Sequence, residues 1–264
     1  MTEYVTTVRG DRVAYDRYGS GPAVVFVAGA GPFRAVDPTT DETARRAAES
    51  DLTTIVFDRL GRGESVAGGR LDLDRELDAV RAVLDVVGGS AVLCGHSSGC
   101  SISLRAATAG LGVTGLALWE APLDTAPAET RAWSDEIERL LDAGELEAAF
   151  AYYMKDMPPE WLAEAQASPE WPLIAAGVVT TRADAQSLAW ATAALASGEL
   201  GGIRVPVLAM YGAETFPEMP AAAGRIAAAV PGAVQKEVPG AGHEWEAAAM
   251  AAELVAFAGR VPVG

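Results

Sequence analysis

Cysteine and histidine are scarce, two of each among 264 residues. So few cysteines exclude a disulfide framework, and Cys94 and Cys100 read as small buried apolar side chains. Two histidines and two cysteines at these spacings make no metal site, so neither a metal nor a cofactor is expected. No apolar run approaches the roughly 20 residues that cross a membrane as a helix. Met1–Tyr18 lacks the basic-then-apolar order of a secretion signal, and no internal repeat is present. Basic residues are outnumbered, 20 against 36 acidic, for a net charge of −16. Such a surface repels nucleic-acid phosphates and anionic lipid. The expectation is a cytoplasmic enzyme with a small-molecule substrate and no nucleic-acid or membrane partner.

A dinucleotide-binding loop is missing too. Gly29-Ala30-Gly31 opens like G-x-G-x-x-G, but Arg34 stands where the third glycine belongs. In Asp58-Arg59-Leu60-Gly61-Arg62-Gly63 the corresponding place is Val66.

Half of the residues are hydrophobic, ample for a core. Short apolar runs alternate with longer helical ones, which predicts a mostly parallel sheet with helices on its faces. Eight strands are expected: Tyr4–Val8, Arg12–Tyr18, Ala23–Ala28, Thr53–Phe57, Ala91–Gly95, Gly115–Trp119, Val205–Tyr211 and Ala233–Val238. Helices are expected over Asp72–Val87, Ser98–Ala109, Pro220–Val230 and Glu246–Phe257. Residues 124–200 break the alternation and read as about four helices: Ala128–Asp142, Glu145–Asp156, Pro159–Ala167 and Ala183–Ser197. The division predicted is a core of residues 1–123 and 201–264 with a helical cap, 124–200, over the carboxyl edge of the sheet. A mostly apolar substrate pocket is expected between them, built from Phe33, Trp119, Trp133, Tyr152, Trp161 and Trp190.

The chemistry centres on Gly95-His96-Ser97-Ser98-Gly99, a G-x-S-x-G sequence between an apolar strand and a small-residue helix. A serine hydroxyl becomes a nucleophile when a tight strand-to-helix turn exposes it and a base takes its proton. Ser97 is the expected nucleophile. The base is a histidine. His243, in the loop Pro239–His243 after the last strand, is free to reach Ser97, whereas His96 lies inside the turn and reads as structural or pocket-lining. The carboxylate that orients the imidazole is Glu120 or Glu214, each just past a core strand. Two backbone N–H groups must hold the oxyanion. Those of Ser98 and Ala30 are the candidates.

With these motifs the chain resembles the α/β-hydrolase superfamily. The likeness rests on Phe26–Gly31, on Phe57–Ser65, on the Gly95–Gly99 turn and on Gly240-Ala241-Gly242-His243. It implies the α/β-hydrolase fold with a cap inserted before the last two strands. Most members keep their acid three residues past a glycine after the strand ending here at Tyr211, which is Thr215 and cannot serve. A second group, including some haloalkane dehalogenases and zearalenone lactonases, keeps a glutamate after the strand ending here at Trp119. The resemblance therefore implies Glu120. Ala28 stands where the family usually has histidine, implying that the oxyanion loop is held differently. Ser97 in place of the dehalogenase aspartate argues against that activity. The implied enzyme is a serine hydrolase cleaving a small or medium apolar ester or lactone through an acyl-enzyme. The rival readings are a C–C bond hydrolase or perhydrolase on the same triad, or a catalytically silent ligand-binding member. Turnover of a short-chain p-nitrophenyl ester separates the silent reading from the others.

Overall fold

A computed structural model describes residues 1–261. The opening hairpin is β1 (Glu3–Thr6) and β2 (Arg12–Gly19). Six strands follow in parallel: β3 (Ala23–Val27), β4 (Thr53–Phe57), β5 (Ala91–His96), β6 (Val113–Trp119), β7 (Val207–Glu214) and β8 (Val234–Ala241). A two-residue β9 (Glu244–Trp245) turns back antiparallel on β8. The sheet order is β1-β2-β4-β3-β5-β6-β7-β8-β9. The sequence predicts eight strands. The ninth is too short for any periodicity to mark, and it places the helical insertion before the last three strands rather than the last two.

The helices are α1 (Pro38–Ala48), α2 (Leu73–Val86), α3 (Ser98–Thr108), α4 (Pro127–Asp142), α5 (Leu146–Tyr153), α6 (Pro159–Ala167), α7 (Trp171–Ala176), α8 (Arg182–Ser197), α9 (Glu218–Ala229) and α10 (Ala247–Ala258). Of these, α1 and the one-and-a-half-turn α7 go unpredicted. The signals for α1 are local: Asp37 caps it by accepting from the Thr40 N–H at 2.9 Å, and Pro38 fills the first turn.

Alternate strand residues feed opposite faces of the sheet. Val25, Val27, Leu93, Leu116 and Leu118 pack with α2, α3, α8 and α9. Val24, Phe26, Val92, Ala117 and Trp119 pack with α1 and α10. Cys94 and Cys100 are both buried and free, and burial pushes both thiols well up.

The insertion has its own small core of Ile137, Leu140, Leu141, Ala149, Tyr153, Val178 and Ala185. Its last helix belongs to two cores at once. Ala185 of α8 packs inside the insertion, while Leu188, Ala191 and Ala194 join the main core beside α3. Among the described residues no helix is long and apolar enough to cross a membrane.

Candidate active site

β5 ends at His96 and α3 begins at Ser98, so Ser97 occupies the whole turn between them. Its φ of 54° and ψ of −125° lie in a region that side-chain-bearing residues rarely adopt, a strain typical of functional turns. The turn fits because Gly99 has no side chain. A Cβ there would sit 2.1 Å from the Val27 carbonyl oxygen.

Glu120 and His243 also have positive φ, 47° and 79°. Among the described residues, three of the four non-glycine residues with positive φ, Ser97, Glu120 and His243, are thus gathered at one place, the fourth being Asp51. Glu120 follows β6 directly and is 1 % exposed. One carboxylate oxygen accepts the Gly212 N–H at 2.8 Å and the other lies 2.6 Å from Nδ1 of His243. Burial alone would raise this carboxyl, but the imidazole, the neighbouring Thr215 hydroxyl and the Gly212 N–H outweigh it and hold it below its ordinary value. Glu214 sits elsewhere. A register shift in the β7–β8 pairing between Gly212 and Glu214 leaves Glu214 an exposed strand residue, bonded to Gly242 through its backbone.

His243 is held by its own backbone as well as by its ring. Its carbonyl oxygen accepts from Trp119 Nε1 at 3.1 Å and from His96 Nε2 at 3.0 Å. A carbonyl only accepts, so the His96 proton sits on Nε2. His96 thus braces the loop that carries the other histidine. Burial and the neighbouring His243 charge lower its pKa to about 4. The unfolded chain takes up a proton near an imidazole's ordinary 6.5, which folded His96 refuses until about 4. Stability should therefore fall as pH drops between these values and level off below them. Urea midpoints at about pH 7 and 5 should shift more for the wild type than for His96→Gln. Equal shifts would contradict the buried neutral ring.

The loop after β3 packs onto Ser97. A Cβ on Gly29 would lie 2.9 Å from that of Ser97, so only glycine fits. Two buried arginines grip this loop. Arg59 donates to the Ala28 and Gly29 carbonyls, both at 3.2 Å, and Arg62 donates to the Gly29 carbonyl at 2.5 Å. They hold the loop by its carbonyl groups, with alanine at position 28. In a trans peptide the N–H points opposite to the C=O. With the Gly29 carbonyl tied to arginine, the Ala30 N–H points away from the arginines.

A cleft of about 830 Å³ opens above these groups. Ser97, His243, His96, Gly29 and Ala30 of the core line it, as do Trp133, Tyr153, Met157, Trp161 and Leu188 from the segment between β6 and β7. Phe216 bridges the two, its ring 6.0 Å from Trp161 and 6.1 Å from His243. Asp124, Glu129, Asp156 and Glu218 also line the cleft, with Lys155 as the basic counterpart.

Of the expected pocket residues, Trp133 and Trp161 line the cleft and four do not. Trp119 is fully buried behind the site, where it bonds to the His243 carbonyl. Phe33 lines a separate void of about 10 Å³ beside Arg34 and Trp245. Trp190 lies under the Arg105 guanidinium against the main core. Tyr152 faces Lys155, and the next residue, Tyr153, turns inward instead, as the 100° step of a helix dictates. Phe216 and the two arginines escape a sequence reading altogether. A pair of arginines in a glycine-rich turn was the available signal. Among the described residues no group of three or more His, Cys, Asp or Glu is arranged to hold a metal ion.

The alpha/beta hydrolase family model matches residues 24–257. An alpha/beta hydrolase from Sphaerobacter thermophilus is 30% identical, with 97% of this chain and 99% of that one covered and a TM-score of 0.74. An esterase from Exiguobacterium antarcticum shares the fold at 20% identity, covering 98% and 100%, with a TM-score of 0.63. The enol-lactonase from Burkholderia xenovorans does so at 18%, covering 97% and 99%, with a TM-score of 0.59. A search of curated proteins finds no match. The family match over most of the chain, on the strand order and turn described above, makes this protein a member of the alpha/beta hydrolase family.

Proposed function

We propose that the protein is a serine hydrolase that cleaves small or medium, uncharged and largely apolar esters or lactones. The observation that carries this reading is the convergence on one cleft of Ser97, in its strained turn, and His243, with Nδ1 bound 2.6 Å from a buried carboxylate. That bond leaves Nε2 to take the serine proton.

In the reaction the Ser97 oxygen attacks the carbonyl carbon while His243 accepts its proton. Glu120 stabilises the resulting imidazolium. The oxyanion rests on the Ala30 and Ser98 N–H groups. Collapse expels the alcohol, which takes the proton from His243, and leaves the acyl group on Ser97. Water then gives a proton to His243 and attacks the acyl carbon; collapse breaks the bond to the Ser97 oxygen, which takes that proton back from His243, and the acid is released. Ser97 and His243 draw into hydrogen-bond contact in the substrate complex. No step calls for a cofactor.

The wall residues Trp133, Tyr153, Met157, Trp161 and Leu188 suit an apolar substrate body. Four cleft carboxylates against one lysine disfavour an anionic one. A panel of p-nitrophenyl esters and lactones tests both points. Neutral short-chain substrates should turn over, and a monoester bearing a free carboxylate should give a lower kcat/KM than its methyl-capped form. Salt should narrow that gap. A preference for the anionic ester would overturn the substrate class, and no turnover across the panel would overturn the ester and lactone reading.

A further inference from the structure

Behind the nucleophile lies a buried cluster that the reaction as written does not use. Asp184, on α8 of the insertion, is fully buried. One of its carboxylate oxygens accepts from Ser98 Oγ at 2.7 Å and from Arg59 Nη1 at 2.5 Å. The other accepts from Arg62 Nη2 at 2.8 Å. Glu76 completes the group by accepting from Arg59 Nε at 3.0 Å. Two buried cations thus meet two buried anions.

Buried ion clusters are costly to desolvate, and apolar packing of equal volume often stabilises as well. Stability alone is therefore a weak reason for this one. Its placement offers a better one. Ser98 carries one oxyanion N–H. The peptide joining Gly29 to Ala30 carries the other, and its carbonyl is the group that Arg59 and Arg62 grip. Asp184 bonds directly to Ser98 and to both arginines.

We propose that Asp184 is a positioning residue for the oxyanion hole, a single carboxylate of the insertion that sets both N–H donors at once. The proposal rests on the serine hydrolase reading. It touches neither substrate nor reacting atoms and acts through Ser98, Arg59 and Arg62. Burial alone would raise the Asp184 carboxyl, but the two guanidiniums outweigh it and hold it low. A structural consequence follows for α8. It is tied through Asp184 to the turn it covers, as a fixed wall of the site.

The test uses Asp184→Asn and Arg62→Lys in the full chain. The first keeps the shape and loses the charge. The second keeps the charge and loses the fork that links Asp184 to the Gly29 carbonyl, so it stays folded if the first does not. Both should lower kcat for a p-nitrophenyl ester by about 10- to 100-fold with KM changed less than about threefold. Affinity for phenylboronic acid, which adds to Ser97 as a tetrahedral anion, should weaken in step with kcat/KM. A purely structural role would lower Tm and leave kcat and boronate affinity of the folded variants at wild-type values, and that result overturns the proposal. If wild-type turnover proves independent of Ser97, the serine reading fails, and the positioning role with it.

Discussion

Replacing Ser97 by alanine should reduce ester hydrolysis by roughly 10⁴-fold or more while the protein keeps its fold. The size of the effect follows from what the side chain does. In the proposed reaction it forms the covalent bond, and neither the neighbouring hydroxyl nor the two thiols can replace it. The neighbouring hydroxyl, Ser98 Oγ, is committed to buried Asp184 at 2.7 Å. The nearest thiols, Cys94 and Cys100, are buried and pushed toward the unreactive neutral form. The fold should survive, since alanine keeps the Cβ of serine and the Ser97 hydroxyl makes no capping hydrogen bond to the helix that follows. Circular dichroism and thermal melts should match the wild type, with activity near the background left by the oxyanion donors. Activity within tenfold of wild type, about 1.4 kcal/mol of barrier, would place the nucleophile elsewhere.

Glu120→Gln is the second large effect, expected at roughly 10³- to 10⁴-fold in kcat. The amide can turn its NH₂ toward His243, present the wrong tautomer to Ser97 and cannot stabilise the imidazolium. The side chain has nowhere to retreat, because its other oxygen is fixed by the Gly212 N–H. Glu214→Gln should stay within about threefold, because an exposed strand carboxylate has little hold on the reaction. Steady-state kinetics on the two variants side by side decides between the acids. A severe Glu214 effect with a mild Glu120 effect would reverse the assignment.

The parts of the site legible in the sequence are those written in local signals. The Gly95–Gly99 turn joins an apolar strand to a small-residue helix within a few residues, so neighbouring positions alone define it. Glu120 is marked by the abrupt end of β6, although the sequence leaves Glu214 as its rival and family resemblance is needed to choose. Geometry separates them through the register shift at Gly212, a feature of the pairing with β8 that no single strand displays. The pocket was less legible. Aromatic residues in the right segments were easy to find, but which of them face the cleft depends on how helices rotate against one another. Tyr152 and Tyr153 are adjacent and point apart. Trp119 sits at the end of a site-forming strand and faces the opposite layer. Asp184 is the extreme case. It lies 86 residues from Ser98 along the chain, in a helix of ordinary composition, and only the packing of α8 onto α3 brings them together.

The central claim, that Ser97 is the activated nucleophile of this cleft, is tested most directly by covalent labelling. The wild-type protein is incubated with a fluorophosphonate, digested, and its peptides mapped by mass spectrometry. The expected result is one phosphonyl group per chain, on Ser97, with ester hydrolysis lost in proportion to labelling. His243→Ala should slow labelling by orders of magnitude, because the base that takes the serine proton is gone. A label on any other residue that tracks the loss of activity, or an active enzyme that Ser97 phosphonylation leaves unimpaired, would contradict it.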